Sequence, residues 1–460
     1  MEENVKPASF SDILKHKGFL NLWINQILVQ VAYNSLNFAL LFWVFRLTES
    51  NFFLAILLVV TYLPAVIFGL FAGVVVDVTD RKKIIMFINF FLAICMLSLI
   101  FLKDSYPAIL VITFFINTLA QFYVPAESSA IPLLVKKEQL LPANSLFSIT
   151  LFGSFLVGST LAGPIIGFLG INSLFIFAGT LLLIALILSF TFPSIVSETD
   201  QRGKRLIEAL RLINITKIKE IAVIQIRQTL TLIRGKIPVL VSLLILASVQ
   251  VVIGLLAALI PSFFERTLHI EATDAAYILI APLGIGMILG GILVGKIGHF
   301  FSRRRIVTTG IIIAGLLFFV VGAAPLISPA ISYFPKARPL PFTTQLPIST
   351  ILTVGSFLLG MAMVSIVVPS QTVLQENTSE KDRGKVFAVL GVLMSALTLI
   401  PILLVGVLSD YFGSMPIFIA LGGTIFLLGL LGIKPDFYFH KKDLPLRLRR
   451  FLGLGHWENE

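Results

Sequence analysis

The sequence predicts an all-α membrane protein with about twelve transmembrane helices, arranged as two six-helix pseudo-repeat bundles. Three observations predict this fold class: the hydrophobicity of the chain, the one-sided placement of its basic residues, and the recurrence of the same features in its two halves. A β-barrel would instead show short segments of alternating hydrophobicity.

The composition is typical of a chain in contact with hydrocarbon. The 460 residues are 57% hydrophobic and 13% charged, with a mean hydropathy of +0.98, whereas soluble domains carry about 25% charged residues. Only helices satisfy their own backbone hydrogen bonds in lipid. Apolar windows of about 20 residues place the spans near 19–45, 52–76, 84–102, 107–126, 146–168, 172–194, 237–263, 274–297, 306–328, 349–374, 385–408 and 415–433.

The basic residues lie on one side of this topology. An even number of spans puts both termini on one side, and we expect them in the cytoplasm. Five of the 35 Lys and Arg then fall outside, namely Arg46, Lys103, Arg266, Lys336 and Arg338. This positive-inside pattern predicts the orientation of the spans, and we expect them in the cell (inner) membrane. Topology and anionic lipid account for the net charge of +11 without a nucleic-acid partner.

Four parts are expected along the chain. They are an N-terminal bundle at 1–194, a cytoplasmic linker at 195–236, a C-terminal bundle at 237–433 and a basic cytoplasmic tail at 434–460. The linker has Leu and Ile at helical spacing among many basic residues, which predicts an amphipathic helix on the membrane surface. The first residues show no cleaved signal peptide pattern.

The two halves repeat the same features. The fourth span ends with Pro125 and Glu127, and the tenth carries Pro369 and Gln371 before a polar loop. Glycine-rich second and eighth spans each lead into a basic loop. Parallel six-helix repeats joined by a long linker are the architecture of transporters that rock about a site near the middle of the membrane.

The loop after the second span carries the motif Gly73-Val-Val-Val-Asp77-Val-Thr-Asp80-Arg81-Lys82-Lys83. In this motif the chain resembles the major facilitator superfamily, and the resemblance covers nearly its full length. It implies the major facilitator fold and a cytoplasmic gate formed by Gly73, Asp77 and Arg81, with Arg383 in the loop after the tenth span. A carboxylate at a helix end can pair with arginines or with a helix N-terminus. Positive-inside topology alone explains Lys82 and Lys83.

The fifth span contains Gly158, Gly163, Pro164 and Gly167. These residues are similar to a glycine-proline motif of antiporters in the superfamily, although Gly158 precedes Gly163 by five residues instead of four. Close helix packing explains them equally well. The stretch FYVPAESSAIPLLVKKEQLLPANSL after the fourth span looks like the branch of siderophore exporters and macrolide-efflux permeases. That resemblance implies export, often coupled to protons.

Amide side chains are the candidates for a substrate cavity, because the first, fourth, seventh and tenth helices line the cavity in this fold. The candidates are Gln26, Gln30, Asn34, Asn37, Asn117, Gln121, Gln250 and Gln371. The first four lie on one face of one helix. Amides donate and accept hydrogen bonds, which suits a neutral or mixed polar substrate. The alternative is that they join helices, each bond contributing on the order of 0.6 kcal/mol.

Carboxylates near the helix ends are the candidates for proton coupling. Asp77 and Glu127 are the two in the first half that lie near the expected pathway, and Asp410 ends the eleventh span. Capping of a helix end is the alternative role for each of them. The histidines fall in loops or tails, Cys95 is the single cysteine, and no phosphate-binding loop is present. We therefore expect no metal, no cofactor and no enzymatic activity.

The expected function is secondary active transport by alternating access, as a proton-coupled exporter of a small amphipathic or polar organic molecule such as a drug or siderophore. The expected partners are this substrate, membrane lipid and protons, and the expected oligomeric state is a monomer. The alternative is a flippase or scramblase for lipid or lipid-linked molecules on the same fold. A sensor-like protein without transport activity also stays open.

Overall fold

The computed structural model describes residues 13–77, 79–136, 139–194, 237–270, 272–297, 300–331, 346–378 and 380–432. Every regular element within these ranges is a helix. The predicted linker at 195–236 and the tail at 434–460 lie outside the described residues.

Six long helices form the first half of the chain. They are α1 (Lys17–Thr48), α2 (Asn51–Asp77), α3 (Arg81–Leu102), α4 (Tyr106–Leu134), α5 (Leu140–Leu169) and α6 (Ile171–Phe190). Each of these helices is apolar and long enough to cross the hydrocarbon core of a membrane, which requires about 20 residues.

The second half supplies a further six long helices. They are α7 (Ile237–Ser262), α8 (Ala281–Ile297), α9 (Arg303–Ile331), α10 (Leu346–Glu376), α11 (Glu380–Phe412) and α12 (Ser414–Leu431). A π-helical turn at Phe263–Thr267 extends α7, and short helical segments at Ala272–Ala275 and Ala276–Ile280 lead into α8. Twelve of the described helical stretches are long and apolar enough to cross a membrane, which confirms the predicted number of spans.

The contacts divide the chain into two compact units. Unit 1 comprises Met1–Glu49 and Ile56–Ile224, and unit 2 comprises Ser50–Ala55 and Gln225–Glu460. Unit 2 therefore includes the first turn of α2. Asp410 of α11 binds that turn: its carboxylate accepts hydrogen bonds from Ser50 Oγ at 2.5 Å, from Asn51 N at 2.7 Å and from Phe52 N at 3.1 Å. The carboxylate thus satisfies backbone donors that a helix N-terminus leaves unpaired.

In unit 1, α1 packs chiefly against α5 and α6. The contact with α5 is close at Gly158, where an added Cβ would lie 2.7 Å from the carbonyl oxygen of Val31. Ser35 Oγ donates a hydrogen bond to the carbonyl oxygen of Gly158 at 2.8 Å. In lipid no hydrophobic driving force brings one helix to another. Close packing at small residues and hydrogen bonds between helices stabilise the contact instead.

In unit 2, glycines set two close helix contacts. Gly422 of α12 lies against the backbone of Phe319 in α9, and Gly429 lies against Ile312 of the same helix. Gly286 and Gly290 of α8 face the backbone of α10, and an added Cβ at Gly290 would lie 2.8 Å from Met361 Cα. Close approach increases the number of van der Waals contacts, which are a main attraction between helices in a bilayer.

Adjacent glycines of α12 test this packing. A Cβ at Gly422 would clash with the backbone of Phe319, whereas a Cβ at Gly423 would meet no described atom within 4 Å. We expect Gly422→Ala to lower the free energy of unfolding by about 1–3 kcal/mol, the usual cost of overpacking. Gly423→Ala is the matched control and should unfold at the wild-type temperature. Thermal unfolding of the purified variants in detergent measures both, and equal Tm values for the two variants would contradict the assigned contact.

Candidate functional site

The four candidate amides on one face of α1, called here the α1 stripe, differ in burial. Gln26 is buried, and its Nε2 donates a hydrogen bond to the carbonyl oxygen of Phe147 in α5 at 3.3 Å. Gln30, Asn34 and Asn37 are partly exposed within unit 1. Asn34 Nδ2 donates to the carbonyl oxygen of Gln30 in its own helix at 2.8 Å. Gln26 therefore joins two helices, while the other three amides are accessible.

The candidate Asn117 of α4 has partners in two directions. Tyr33 Oη of α1 donates a hydrogen bond to Asn117 Oδ1 at 2.6 Å, and Asn117 Nδ2 donates to the carbonyl oxygen of Thr113 at 2.8 Å. Asn117 is buried, and Gln121, one turn further along α4, is partly exposed. Asn117 thus links α1 to α4, and Gln121 is the more accessible amide of the two.

A buried polar network connects four helices of unit 1. Asn25 Nδ2 of α1 donates to Ser189 Oγ at 3.0 Å and to the carbonyl oxygen of Ala185 at 2.7 Å, both in α6. Asn89 Nδ2 of α3 lies 3.0 Å from Ser189 Oγ and 3.4 Å from Asn25 Oδ1. Asn89 Oδ1 is buried and has no hydrogen-bond partner among the described atoms. Most buried polar groups in proteins have a hydrogen-bond partner, so Asn89 Oδ1 is an acceptor that remains available within this network.

Glu127 of α4 lies at the end of this network. Its side chain is only 4% exposed, and its Oε1 lies 3.2 Å from Tyr123 Oη. Tyr123 Oη also lies 2.9 Å from Asn25 Oδ1. Among the described residues, no Lys, Arg or His forms an ion pair with Glu127. Glu127 is thus a buried carboxyl group whose described side-chain partner is a tyrosine hydroxyl.

The hydroxyl of Tyr123 has one hydrogen and two acceptors within reach. If it donates to Asn25 Oδ1, the contact with Glu127 is a hydrogen bond only when the carboxyl group is protonated and donates to Tyr123 Oη. If Glu127 is ionised, Tyr123 donates to it instead, and Asn25 Oδ1 loses that donor. The protonation of Glu127 therefore selects between two hydrogen-bond arrangements.

Proline shapes the backbone next to this carboxyl group. Pro125 lies inside α4 and has no N–H to donate to the carbonyl group of Gln121. The helix nevertheless continues through Leu134. A proline within a membrane helix is tolerated when neighbouring groups compensate for the missing bond. The carbonyl oxygen of Gln121, in the same helix as Glu127, thus lacks the backbone N–H donor that a regular helix would supply.

The structure describes only part of the predicted cytoplasmic gate. Arg81 begins α3, is 3% exposed, and places its Nε 3.4 Å from Ser129 Oγ of α4. An added Cβ at Gly73 would meet no described atom within 4 Å. Asp77 ends α2 and Arg383 lies within α11, but their side chains lie outside the described ones. The gate role of these four residues stays a prediction.

Lys82 has a structural role that topology alone does not require. Its Nζ donates hydrogen bonds to the carbonyl oxygens of Phe190 at 2.8 Å and Phe192 at 2.6 Å, at the C-terminal end of α6. Asp80 caps α3 by accepting from Lys82 N at 3.0 Å. A cation at a helix C-terminus and a carboxylate at a helix N-terminus both complement the helix dipole.

The remaining candidates differ in burial. Gly158 and Gly163 of α5 are buried, Pro164 is partly buried and Gly167 is exposed. Gln250 of α7 and Gln371 of α10 are partly exposed within unit 2. No cluster of metal-binding side chains occurs among the described residues. Burial thus supports a packing role for Gly158 and Gly163 and leaves Gln250 and Gln371 accessible, while the roles of all these residues stay predictions.

Sequence reasoning missed four members of the buried network: Asn25, Asn89, Tyr123 and Ser189. Tyr123 and Glu127 are four residues apart, which places them on one face of α4 and was a usable signal. Amides within membrane spans were a second signal, since polar groups there need partners. The pairing of Asn25 with α3 and α6 depends on tertiary contacts that the sequence does not show.

Two asparagines of α1 test the importance of the network. Asn25→Leu removes partners of Tyr123, Asn89 and Ser189, and we expect it to lower the free energy of unfolding by about 1–3 kcal/mol, the cost of stranding buried polar groups. Asn34→Leu, the matched control, removes a bond within its own helix and should change the stability by less than about 0.5 kcal/mol. Thermal unfolding in detergent gives both values. A smaller loss for Asn25→Leu than for Asn34→Leu would show that the network does not stabilise unit 1.

Comparisons with known proteins agree with this architecture. The model of the Major Facilitator Superfamily matches residues 22–343. Macrolide efflux protein A of Streptococcus pyogenes is 25% identical over 419 residues, covering 89% of this chain and 93% of that protein. Multidrug efflux pump Tap of Mycolicibacterium fortuitum is 25% identical over 399 residues, covering 81% of this chain and 84% of that protein.

A solved structure shows the same fold. A POT family transporter in complex with thioalcohol conjugated peptide superposes with a TM-score of 0.67 and covers 92% of this chain and 97% of that chain. Its sequence is 11% identical, so the likeness concerns the fold and not the substrate.

Proposed function

Since the chain belongs to the Major Facilitator Superfamily and is therefore a transporter and not an enzyme, we propose that it is a secondary active exporter. It moves small amphipathic or polar organic molecules, drug-like or siderophore-like, by alternating access in exchange for protons. Two relatives that match most of the chain carry efflux in their names, which supports the direction of transport. Two compact six-helix units also suit a mechanism in which repeats move about a substrate site.

Accessible amides are proposed to bind the transported molecule. Gln30, Asn34 and Asn37 follow one another along α1 and are partly exposed within their unit. Gln121, Gln250 and Gln371 are partly exposed candidates on α4, α7 and α10. Because amides both donate and accept hydrogen bonds, they suit a neutral or mixed polar molecule. Gln26 and Asn117 are hydrogen-bonded between helices, so we assign them a supporting role.

Glu127 is proposed to carry the coupled proton, and the observation that carries this proposal is its burial without a basic partner among the residues that the structure describes. An ionised carboxylate that is buried without a partner costs several kcal/mol, and the cost falls when water reaches it. A conformational change that alters water access to Glu127 therefore alters its affinity for protons. Asp77, at the end of α2, is a second candidate.

Tyr123 is proposed to transmit the protonation state to α1. Its hydroxyl lies between Glu127 Oε1 and Asn25 Oδ1, and it cannot donate fully to both. Loss of the proton from Glu127 draws the hydroxyl toward the carboxylate and weakens the bond to Asn25. The helix with the accessible amides then has a different set of contacts, which links proton binding to the substrate-binding helix.

Glu127→Gln tests proton coupling while preserving the size of the side chain. We expect the variant to lose most of its proton-driven transport, by about tenfold or more, because an amide cannot exchange a proton in this way. The measurement is uptake of a labelled macrolide into inverted vesicles energised by a proton gradient, at matched protein level. Asp104→Asn is the control, since Asp104 is an exposed carboxylate between α3 and α4.

Wild-type transport by Glu127→Gln would remove Glu127 from the coupling mechanism. Movement of labelled lipid in liposomes without any gradient, with no gradient-driven uptake of organic compounds, would instead indicate a flippase or scramblase.

Orientation is proposed from the charge distribution, with both termini and the basic loops in the cytoplasm of a bacterial cell. Single cysteines on a Cys95→Ser background test it at exposed positions, namely Lys83→Cys, Ser302→Cys and Asp104→Cys. We expect a membrane-impermeant maleimide to label Asp104→Cys in intact cells and the other two only after permeabilisation. Labelling of Lys83→Cys and Ser302→Cys from opposite sides would overturn the proposed topology.

A further inference from the structure

A surface groove lies between α8, α9 and α10 of unit 2. Its volume is ≈ 360 Å³, and its lining includes Leu293, Phe301, Arg305, Thr309, Ile313 and Leu358. The four apolar residues among these expose 39–55% of their surface. The groove is therefore open at the surface of the unit, and most of its wall is hydrocarbon in character.

Gly310 lines the groove where α9 and α10 approach each other closely. An added Cβ there would lie 2.9 Å from Ile366 Cγ1 and 3.0 Å from the carbonyl oxygen of Ala362, so α9 and α10 are in close contact beneath the groove. Side chains of α9 line it from Arg305 to Ile313. The eight steps from Arg305 to Ile313 span about 12 Å along a helix, which suits a chain-like apolar ligand.

One end of the groove carries a positive charge. Three consecutive arginines begin α9, and two of them have protein partners: Arg303 forms a bidentate ion pair with Glu376 at 2.5 and 2.8 Å, and Arg304 Nη2 donates to the carbonyl oxygen of Gly432 at 3.0 Å. Arg305 is exposed and lines the groove instead. Among the described residues, no carboxylate forms an ion pair with it.

We propose that this groove binds an anionic phospholipid, with the phosphate on Arg305 and an acyl chain between Leu293 and Ile313. Guanidinium groups bind phosphate through two parallel hydrogen bonds, and the N-terminus of α9 adds favourable dipole potential. An arginine at the end of an apolar span lies at the level of lipid headgroups. Basic pockets between membrane helices are a known mode of anionic lipid recognition. This site is separate from the proton and substrate sites proposed above.

Thermal unfolding of the purified full-length protein in detergent tests the site. Added phosphatidylglycerol should raise the Tm of the wild type more than phosphatidylcholine does, and inorganic phosphate at the same concentration should have no effect. Arg305→Gln should lose most of the shift specific to phosphatidylglycerol. Thr309→Trp, which fills the groove from an exposed position and keeps the charge, should lose it as well.

Lys296→Gln is the matched control. Lys296 is an exposed cation of α8 that does not line the groove, so its variant should retain the wild-type lipid shift. Native mass spectrometry should show phosphatidylglycerol affinity lowered about tenfold by Arg305→Gln and unchanged by Lys296→Gln. An unchanged lipid shift in either groove variant would overturn the proposal. Stabilisation by inorganic phosphate alone would also overturn it, since an acyl chain would then contribute nothing.

Discussion

The hydrogen-bonding demand of the backbone in hydrocarbon constrains everything else in this structure. Lipid offers no partner to an N–H or a carbonyl group, so each span must form a helix that satisfies its own backbone. Hydrophobic residues then no longer favour one helix neighbour over another, because lipid is equally apolar. Specificity therefore comes from surface shape. The glycine contacts of α8 with α10 and of α9 with α12 are two examples of it.

The same constraint gives polar side chains clear roles. An amide inside a span must find a partner or remain accessible to water. Asn25 and Asn89 form bonds among α1, α3 and α6, whereas Gln30 and Asn34 stay partly exposed. The polar backbone groups at helix ends also find partners. Asp410 accepts hydrogen bonds from the first turn of α2, and Lys82 donates to the last carbonyl group of α6. Burial and bonding thus separate structural polar groups from those available to a ligand.

Much of the fold was predictable from the sequence, and less of the site. Hydropathy predicted all twelve spans because length and apolarity are local properties, although α5 begins at Leu140 and not near residue 146. The α1 stripe was predicted from spacing, but Asn25 was missed. Adjacent residues of a helix differ in direction by about 100°, and the sequence does not show which neighbours cover each direction. For Asp410 the sequence left both helix capping and proton coupling open. The groups that it binds, at the start of α2, lie about 360 residues away in the sequence, so local patterns do not show the contact.

Arg303, Arg304 and Arg305 show why counting charges is insufficient. The positive-inside rule treats them as three equal contributions to topology. On a helix, however, three consecutive side chains point in directions separated by about 100°. One meets Glu376, one meets the carbonyl group of Gly432 and one faces an apolar groove. The carboxylate and the carbonyl already provide the negative partners of the first two. The third therefore has the greatest capacity to bind an anion from outside the chain, and lipid is the source of anions that surrounds a membrane helix.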